Sequence, residues 1–386
     1  MSRPYTSPED QRATFVELFF DLVFVFGVTQ VVGVLHHDLS WVGVGHAILV
    51  FWLVWWAWTQ FTWALNAADT THPLVELLTL VSTAVAFLMS VAIPTSFAGR
   101  ALWFAVPYVL VRGLGLWIYG LVARAKPGQH AAVRLFSLVS TGGLAAVIAG
   151  AVAGAVVGPD AQAWLWGLAI FLDVVAAIVA GQQKEWDLHA EHFAERHGLI
   201  VIIALGESLI VAAAGLAEAT FSADVLAVAL LGVLISCALW WTYFLAAKPE
   251  LEHALASVPR GEQGALARDA FSLAHFPMLC GIVAYAVALE EAVAHPGDPL
   301  PAAARLALAL GPILFLGGSA LAMWRATCGR PLHRVVIAVL VGGAVLLLGD
   351  LPASAALAVT LAGVVLVAVS DELRAHRAAL RQPRPS

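Results

Sequence analysis

The sequence predicts an all-α polytopic membrane protein of about 12 transmembrane helices, arranged as a 6+6 parallel internal repeat. Three observations predict it. The 386 residues are 61% hydrophobic and only 12% charged, against roughly 25% charged in soluble proteins. Mean hydropathy is +0.87, more apolar surface than a soluble fold of this size hides without aggregating. The apolar residues fall into twelve windows near the roughly 20 residues that cross a bilayer core. This composition excludes a soluble globular enzyme and a disordered chain. A net charge of -6 argues against a nucleic-acid binder with a basic face. The expected partner is the lipid bilayer.

The first span is read over 15–35. The segment before it is polar and carries Arg3 and Arg12. The apolar run holds Glu17 and Asp21, which spoil a secretory signal, and no small-residue cleavage site follows. It is therefore a retained helix. The remaining spans are read over 42–65, 74–93, 101–123, 133–157, 161–180, 197–217, 222–246, 270–294, 303–324, 332–349 and 352–371. With the N-terminus placed in the cytoplasm, 17 of the 20 Lys and Arg residues fall on the cytoplasmic side, from Arg3 and Arg12 to Arg381 and Arg384. Only Arg100 and Arg305 fall outside, and Arg112 lies within a span. That alternation follows the positive-inside rule and places both termini in the cytoplasm. The segment from Asn66 to Pro73 is assigned inside with no basic residue.

The halves 1–180 and 181–386 repeat each other at three places. Asp21 is followed 34 residues on by Trp55-Trp56-Ala57-Trp58, and Glu207 is followed 33 on by Trp240-Trp241-Thr242-Tyr243. Span 4 opens at Arg100, has Pro107 seven later and closes at Lys126-Pro127. Span 10 opens at Arg305, has Pro312 seven later and closes at Arg330-Pro331. Six is even, so the two halves share orientation about an axis along the membrane normal.

Charges inside spans cost about 2.5–3.5 kcal/mol each at a helix centre and are functional candidates for that reason. Glu17 and Asp21 are four apart and share a face of span 1, with Thr14 extending the stripe. Two acids on one face repel unless a cation, a proton or several donors intervene. Asp173 in span 6 lies at a depth similar to Asp21, roughly 9 Å. Glu207 lies deeper in span 7, and Arg112 sits in the middle of span 4 as its natural counter-charge, with Asp21 or Asp173 also in reach. The functional reading is an ion-coupling site; the plainer one is a set of structural ion pairs.

The stretch from Lys184 to Gly198, KEWDLHAEHFAERHG, predicts an amphipathic helix leading into span 7. Glu185, His189, His192 and Glu195 follow at helical spacing, yet no HExxH order is present and no metal is assigned. Arg196 lies three helical turns before Glu207, on the same face. His275, between Asp269 and Pro277, marks a lesser polar entrance, and His46 reads as a satisfied core residue. Five of the 14 Trp crowd span 2, either as packing or as an aromatic wall for a ligand. Cys237, Cys280 and Cys328 read as small packing residues. There is no Walker A loop, GxGxxG or GxSxG, and no nucleotide-binding domain, so no enzyme activity and no cofactor is expected. Energy, if used, comes from an ion gradient.

The motifs FVELFFDLVFVFGVTQ, Phe15 to Gln30, and ERHGLIVIIALGESLI, Glu195 to Ile210, resemble the bacterial low temperature requirement protein A (LtrA) family. His197 departs from the Phe common in the ERFGL version. The resemblance covers residues 10 to about 370 and implies a bacterial inner-membrane protein associated with growth at low temperature. It marks Glu17, Asp21, Glu195, Arg196, Gly198, Gly206 and Glu207 as motif positions. A second likeness, offered as analogy, is to two-times-six-helix potassium channels, whose repeats carry an Arg and a Phe-Ser-Asp element. Here Arg12 precedes Phe20-Asp21 and the Ser is missing.

These readings converge on a proton- or cation-coupled secondary transporter of an unknown small solute or ion. Glu17, Asp21 and Glu207 are its coupling candidates, with Arg112, Asp173 and Arg196 beside them. The alternatives are a passive cation channel lined by spans 1 and 7, and a non-catalytic structural or temperature-response protein.

Overall fold

The computed structural model describes residues 5–8, 11–125, 130–181, 188–218 and 222–381. Arg3, Lys126, Pro127, Lys184, Glu185 and Arg384, used in the sequence reading, lie outside them. The described residues form fourteen α-helices. They are α1 (Phe15–His37), α2 (Trp41–Ala67), α3 (Pro73–Val91), α4 (Ala101–Ala125), α5 (His130–Val156), α6 (Pro159–Gly181), α7 (Ala190–Glu218), α8 (Ala223–Trp241), α9 (Lys248–Ser257), α10 (Arg260–Leu266), α11 (His275–Ala294), α12 (Ala302–Thr327), α13 (Leu332–Leu347) and α14 (Ala353–Arg381). Among these residues there is no strand, only isolated bridges of Thr6 with Ala68 and Pro299 with Pro352.

Eleven helical segments are long and apolar enough to cross a membrane. Leu138, Trp164, Phe171 and Leu340 point outward from them, an apolar exterior suited to lipid. The chain is a multi-pass membrane protein. Predicted span 11 is α13, whose 16 residues fall short of the other eleven. The polar stretch read as a connection between spans 8 and 9 is instead helical, as α9 and α10. Two π-helical segments, Thr242–Ala247 and Ala267–Leu273, join these to α8 and α11. Each composite, Ala223–Ser257 and Arg260–Ala294, is 35 residues long. Helix α7 begins at Ala190, so the helix predicted ahead of span 7 and the span itself are one continuous helix, with the polar His192 and Arg196 turned into the protein rather than into solvent.

Local chemistry sets the helix starts. Glu17 accepts hydrogen bonds from the N–H and hydroxyl of Thr14, both at 2.9 Å, and so caps α1. Ser40 and Ser222 accept from Gly43 and Val225 at the starts of α2 and α8. In the α1–α2 connection Asp38 accepts from the N–H of Ser40 at 2.9 Å. Hydrogen bonds from Ser40 hold its carboxyl below the usual range. Helix α12 ends at Cys328 in the left-handed region, φ 56°, where the chain turns toward Pro331.

The chain divides into two compact units. The first is Met1–Ile200 with Leu255–Ser272, and the second is Val201–Ala254 with Leu273–Ser386. In the first, α3 packs on α1 and α4, and α5 on α4 and α6. The amino-terminal segment is tied to the end of α2: Ser7 N–H donates to Ala67 O at 3.1 Å, and Gln11 Nε2 to Leu65 O at 3.1 Å. In the second, α12 packs on α11 and α13, and α14 on α8 and α13.

The tightest seam of the second unit lies between α11 and α12. A Cβ on Gly281 would sit 2.5 Å from Gly311 O and 2.7 Å from Phe315 N. Small residues let helix backbones approach where lipid offers no hydrophobic drive to association. We expect Gly281→Ala to destabilise the protein by about 1–3 kcal/mol, since backbone atoms must shift. Gly317→Ala, whose Cβ meets nothing within 4 Å, serves as control. Thermal unfolding in detergent reads both, and equal melting temperatures would refute the close-packed seam.

Candidate functional site

The site is built from two helix pairs of charges at the same spacing. Glu17 and Asp21 lie one turn apart on α1, and His192 and Arg196 lie one turn apart on α7. All four side chains are fully buried. Arg196 forks onto Asp21, with Nη2 to Oδ1 at 2.5 Å and Nε to Oδ2 at 3.1 Å. Its Nη1 reaches Glu17 Oε1 at 2.5 Å. Trp58 of α2 donates its indole N–H to Asp21 Oδ1 at 2.7 Å, and its ring lies 5.9 Å from the guanidinium carbon. Thus Arg196 is the cation that the shared face of Glu17 and Asp21 demanded.

His192 completes the cluster, with Nε2 3.0 Å from Glu17 Oε1 and Nδ1 3.0 Å from Asn66 Nδ2. The amide of Asn66 is oriented by backbone. Its Oδ1 accepts from His189 N–H at 3.0 Å, and its Nδ2 donates to His189 O at 3.0 Å. Asn66 Nδ2 is therefore a donor to His192, so Nδ1 is an acceptor and the ring proton sits on Nε2. The imidazole is neutral and donates to Glu17. Glu17 accepts four hydrogen bonds, two on each oxygen, which a carboxylate does and a carboxylic acid does not. Two acids therefore share one guanidinium, one more acid than the cluster has permanent cations.

A second buried pair lies between α4 and α6. Arg112 binds Asp173 through both ends of the guanidinium, Nη1 to Oδ2 at 3.0 Å and Nη2 to Oδ1 at 2.9 Å. Tyr108, one turn before it, accepts from Nη1 at 2.7 Å. This corrects the expectation that Glu207 is the natural counter-charge of Arg112. The guanidinium is occupied by Asp173, the more distant alternative in the sequence reading, because a bidentate carboxylate fits its planar fork. Glu207 is buried on α7, within the second unit.

Three contributors escaped the sequence reading. Trp58 was seen only within the Trp55–Trp58 repeat element and the aromatic crowd of span 2, and Asn66 had no signal beyond opening the connection after that span. His192 was weighed as a metal ligand; among the described residues no group of His, Cys, Asp and Glu could hold a metal. A readable signal existed for His192, since its spacing to Arg196 matches that of Glu17 to Asp21. Trp55, Trp56 and Trp58 of α2 are buried, and Trp55 and Trp63 donate to the backbone and hydroxyl oxygens of Ser272, at 2.8 and 2.9 Å. Glu195, a motif position, accepts from Ala13 N–H at 3.0 Å.

A helical multi-pass membrane protein with a charge cluster buried across α1, α2 and α7 is the class that fold and site define. The chain belongs to the bacterial low temperature requirement A protein (LtrA) family, which it matches over residues 12–369. It is also similar to the uncharacterized protein RA0937 of Rhizobium meliloti (strain 1021). The two are 29% identical over 328 residues, covering 82% of this chain and 77% of that one. No solved structure matches the chain. Both motif segments that carried the resemblance meet in this cluster.

The Arg112–Asp173 pair is charge-balanced, so its role separates by mutation. Asp173→Asn alone should destabilise by about 3–5 kcal/mol, since it strands a buried guanidinium. Adding Arg112→Met should recover most of that loss, as read by thermal unfolding in detergent. A double variant no more stable than Asp173→Asn would show that the pair is not a self-contained unit.

Proposed function

We propose that this protein is a proton- or cation-coupled secondary transporter of a small solute, with Glu17, Asp21, Arg196 and His192 as its coupling site. The observation that carries the reading is that two buried acids share one guanidinium in that cluster. An unbalanced charge in a low-dielectric interior is costly unless a proton or cation comes to it. Asn66 gives the proton a place with consequences. Protonation of His192 at Nδ1 puts a donor against the donor Asn66 Nδ2, so the bond between α7 and α2 must break. Charge uptake is thereby converted into helix rearrangement, which alternating access requires. The protein acts without a cofactor and not as an enzyme.

The setting we propose is the bacterial inner membrane with both termini cytoplasmic, supported by the distribution of Arg and Lys. The 6+6 repeat belongs to the same reading. It is supported by the matching spacing of Arg100 to Pro107 in span 4 and Arg305 to Pro312 in span 10. A reporter fused after Arg384 should score cytoplasmic and one at Pro159 periplasmic; scoring on one side would overturn this topology.

Flux in proteoliposomes, with and without a pH gradient, tests the function. We expect Asp21→Asn to abolish gradient-driven uptake while the protein still folds. Asn66→Asp accepts a hydrogen bond from a protonated Nδ1 and should hold His192 charged, leaving solute binding intact but coupling lost. A fully active Asp21→Asn variant would sink the coupling role, and an ohmic cation current in the wild type would replace the transporter by a channel.

A further inference from the structure

The second unit holds a cavity of about 530 Å³ where the α12–α13 connection, the π-helical segment after α8 and the end of α14 converge. That volume lies within the ~300–1,000 Å³ of small-ligand sites. Its floor is rigid. Arg334 is fully buried and donates from Nη2 to Asp371 Oδ2 at 2.8 Å and to Thr242 O at 3.0 Å, and from Nη1 to Ser319 Oγ at 3.0 Å. One guanidinium thus fixes α12, α13, α14 and a carbonyl of the π segment. Such segments recur at functional sites because they widen the helix and displace its hydrogen bonds.

Above the floor the charges come in two opposed kinds. Arg330 and Arg374 line the cavity, and so do Glu250 and Glu372. Asp371 is already balanced by Arg334. His333 adds a directed group. Its Nε2 lies 2.7 Å from Asp371 Oδ1, so Nε2 carries the proton and Nδ1 is an acceptor in the neutral ring. Nδ1 is buried and has no partner among the described residues. The cavity therefore offers two guanidinium groups for an anion, and two carboxylates with an imidazole lone pair for an N–H cation. Its apolar wall includes Trp241 and Leu245, which are 44% and 53% exposed on the lipid-facing exterior of the protein.

We propose that this cavity binds a zwitterionic phospholipid bearing a primary ammonium, of the phosphatidylethanolamine type. The phosphate pairs with Arg330 and Arg374. The ammonium donates to Glu250, Glu372 and His333 Nδ1, and an acyl chain lies along Trp241 and Leu245. Charge balance decides the occupant. An anionic lipid leaves Glu250 and Glu372 opposed to its headgroup, and a choline headgroup has no N–H for His333. Arg330 lies in the short connection where the chain leaves the apolar zone, the depth at which a headgroup sits.

Competition in nanodiscs tests this site. The purified protein is reconstituted with equal phosphatidylethanolamine, phosphatidylcholine and phosphatidylglycerol, and retained lipid is counted by native mass spectrometry. We expect phosphatidylethanolamine to be retained about tenfold over phosphatidylcholine, the effect of one charge-assisted hydrogen bond. Glu250→Gln with Glu372→Gln should bring the two to parity. Arg330→Gln with Arg374→Gln should weaken retention of both. Arg377→Gln, on the exposed end of α14 outside the cavity, should change neither. Parity in the wild type, or preference for phosphatidylglycerol, overturns the proposal. So does equal protection from thermal unfolding by free phosphoethanolamine at the same concentration, which would make this a small-solute site rather than a lipid site.

Discussion

The burial of Arg196 against Glu17 and Asp21 is the interaction on which the first unit depends. Helices in lipid gain little from hiding apolar surface against each other, because the tails are as apolar as Leu. Polar contacts then fix which helix faces which, and at what height. Glu17 does two jobs with its two oxygens: one caps the start of α1, the other binds α7. Asp21 likewise receives α7 through Arg196 and α2 through Trp58. Removing the guanidinium would leave two carboxylates one turn apart with no cation between them, so the register of three helices rests on one side chain.

Three buried arginines invite comparison. Arg112 and Arg334 each hold one aspartate in a two-point grip, with a tyrosine or serine hydroxyl taking a remaining donor. Both are balanced pairs, and balance is what a packing role needs. Arg196 instead serves two acids and has a neutral histidine as neighbour. The cap of α1 uses one oxygen of Glu17, and the other still shares the guanidinium with Asp21. This difference in composition, rather than depth or burial, is what sets the Arg196 cluster apart from the two pairs and underlies its proposed role in ion coupling.

The helical class was legible because a bilayer leaves few options: runs of apolar residues must be helices when every backbone group has to be satisfied within the span. The acids of α1 were legible for the same reason, since the cost of Glu17 and Asp21 is visible without knowing their neighbours. Partner choice was not. Arg112 is compatible in depth with several acids, and only the rotation of α4 and α6 about their axes selects Asp173. The helical run from Lys248 to Leu266 was read as a connection because its charges suggest water. Arg334 and Asp371 were passed over because each lies near a predicted span end, where a charge looks solvated.

Helix α2 links the cluster to the rest of the first unit. Trp58 and Asn66 lie on the face that meets Asp21 and His192. At 100° per residue, Thr59 lies about 20° around from Asn66, Trp56 about 80° and Gln60 about 120°. Trp56 Nε1, Thr59 Oγ1 and Gln60 Oε1 are buried with no partner among the described residues. A dry, purely structural helix gains nothing from these groups, since each unmet buried hydrogen bond costs about 1–3 kcal/mol. Apolar residues of equal size would serve packing better. The transport function proposed above would use them, because a hydrophilic solute crossing the bundle must exchange its water for protein hydrogen bonds. The same rigid helix would then feel the solute on one face and the charge state of His192, through Asn66, on the other. Coupling needs no relay of small contacts between these faces: rotation of α2 released by the loss of the Asn66–His192 bond would move both together.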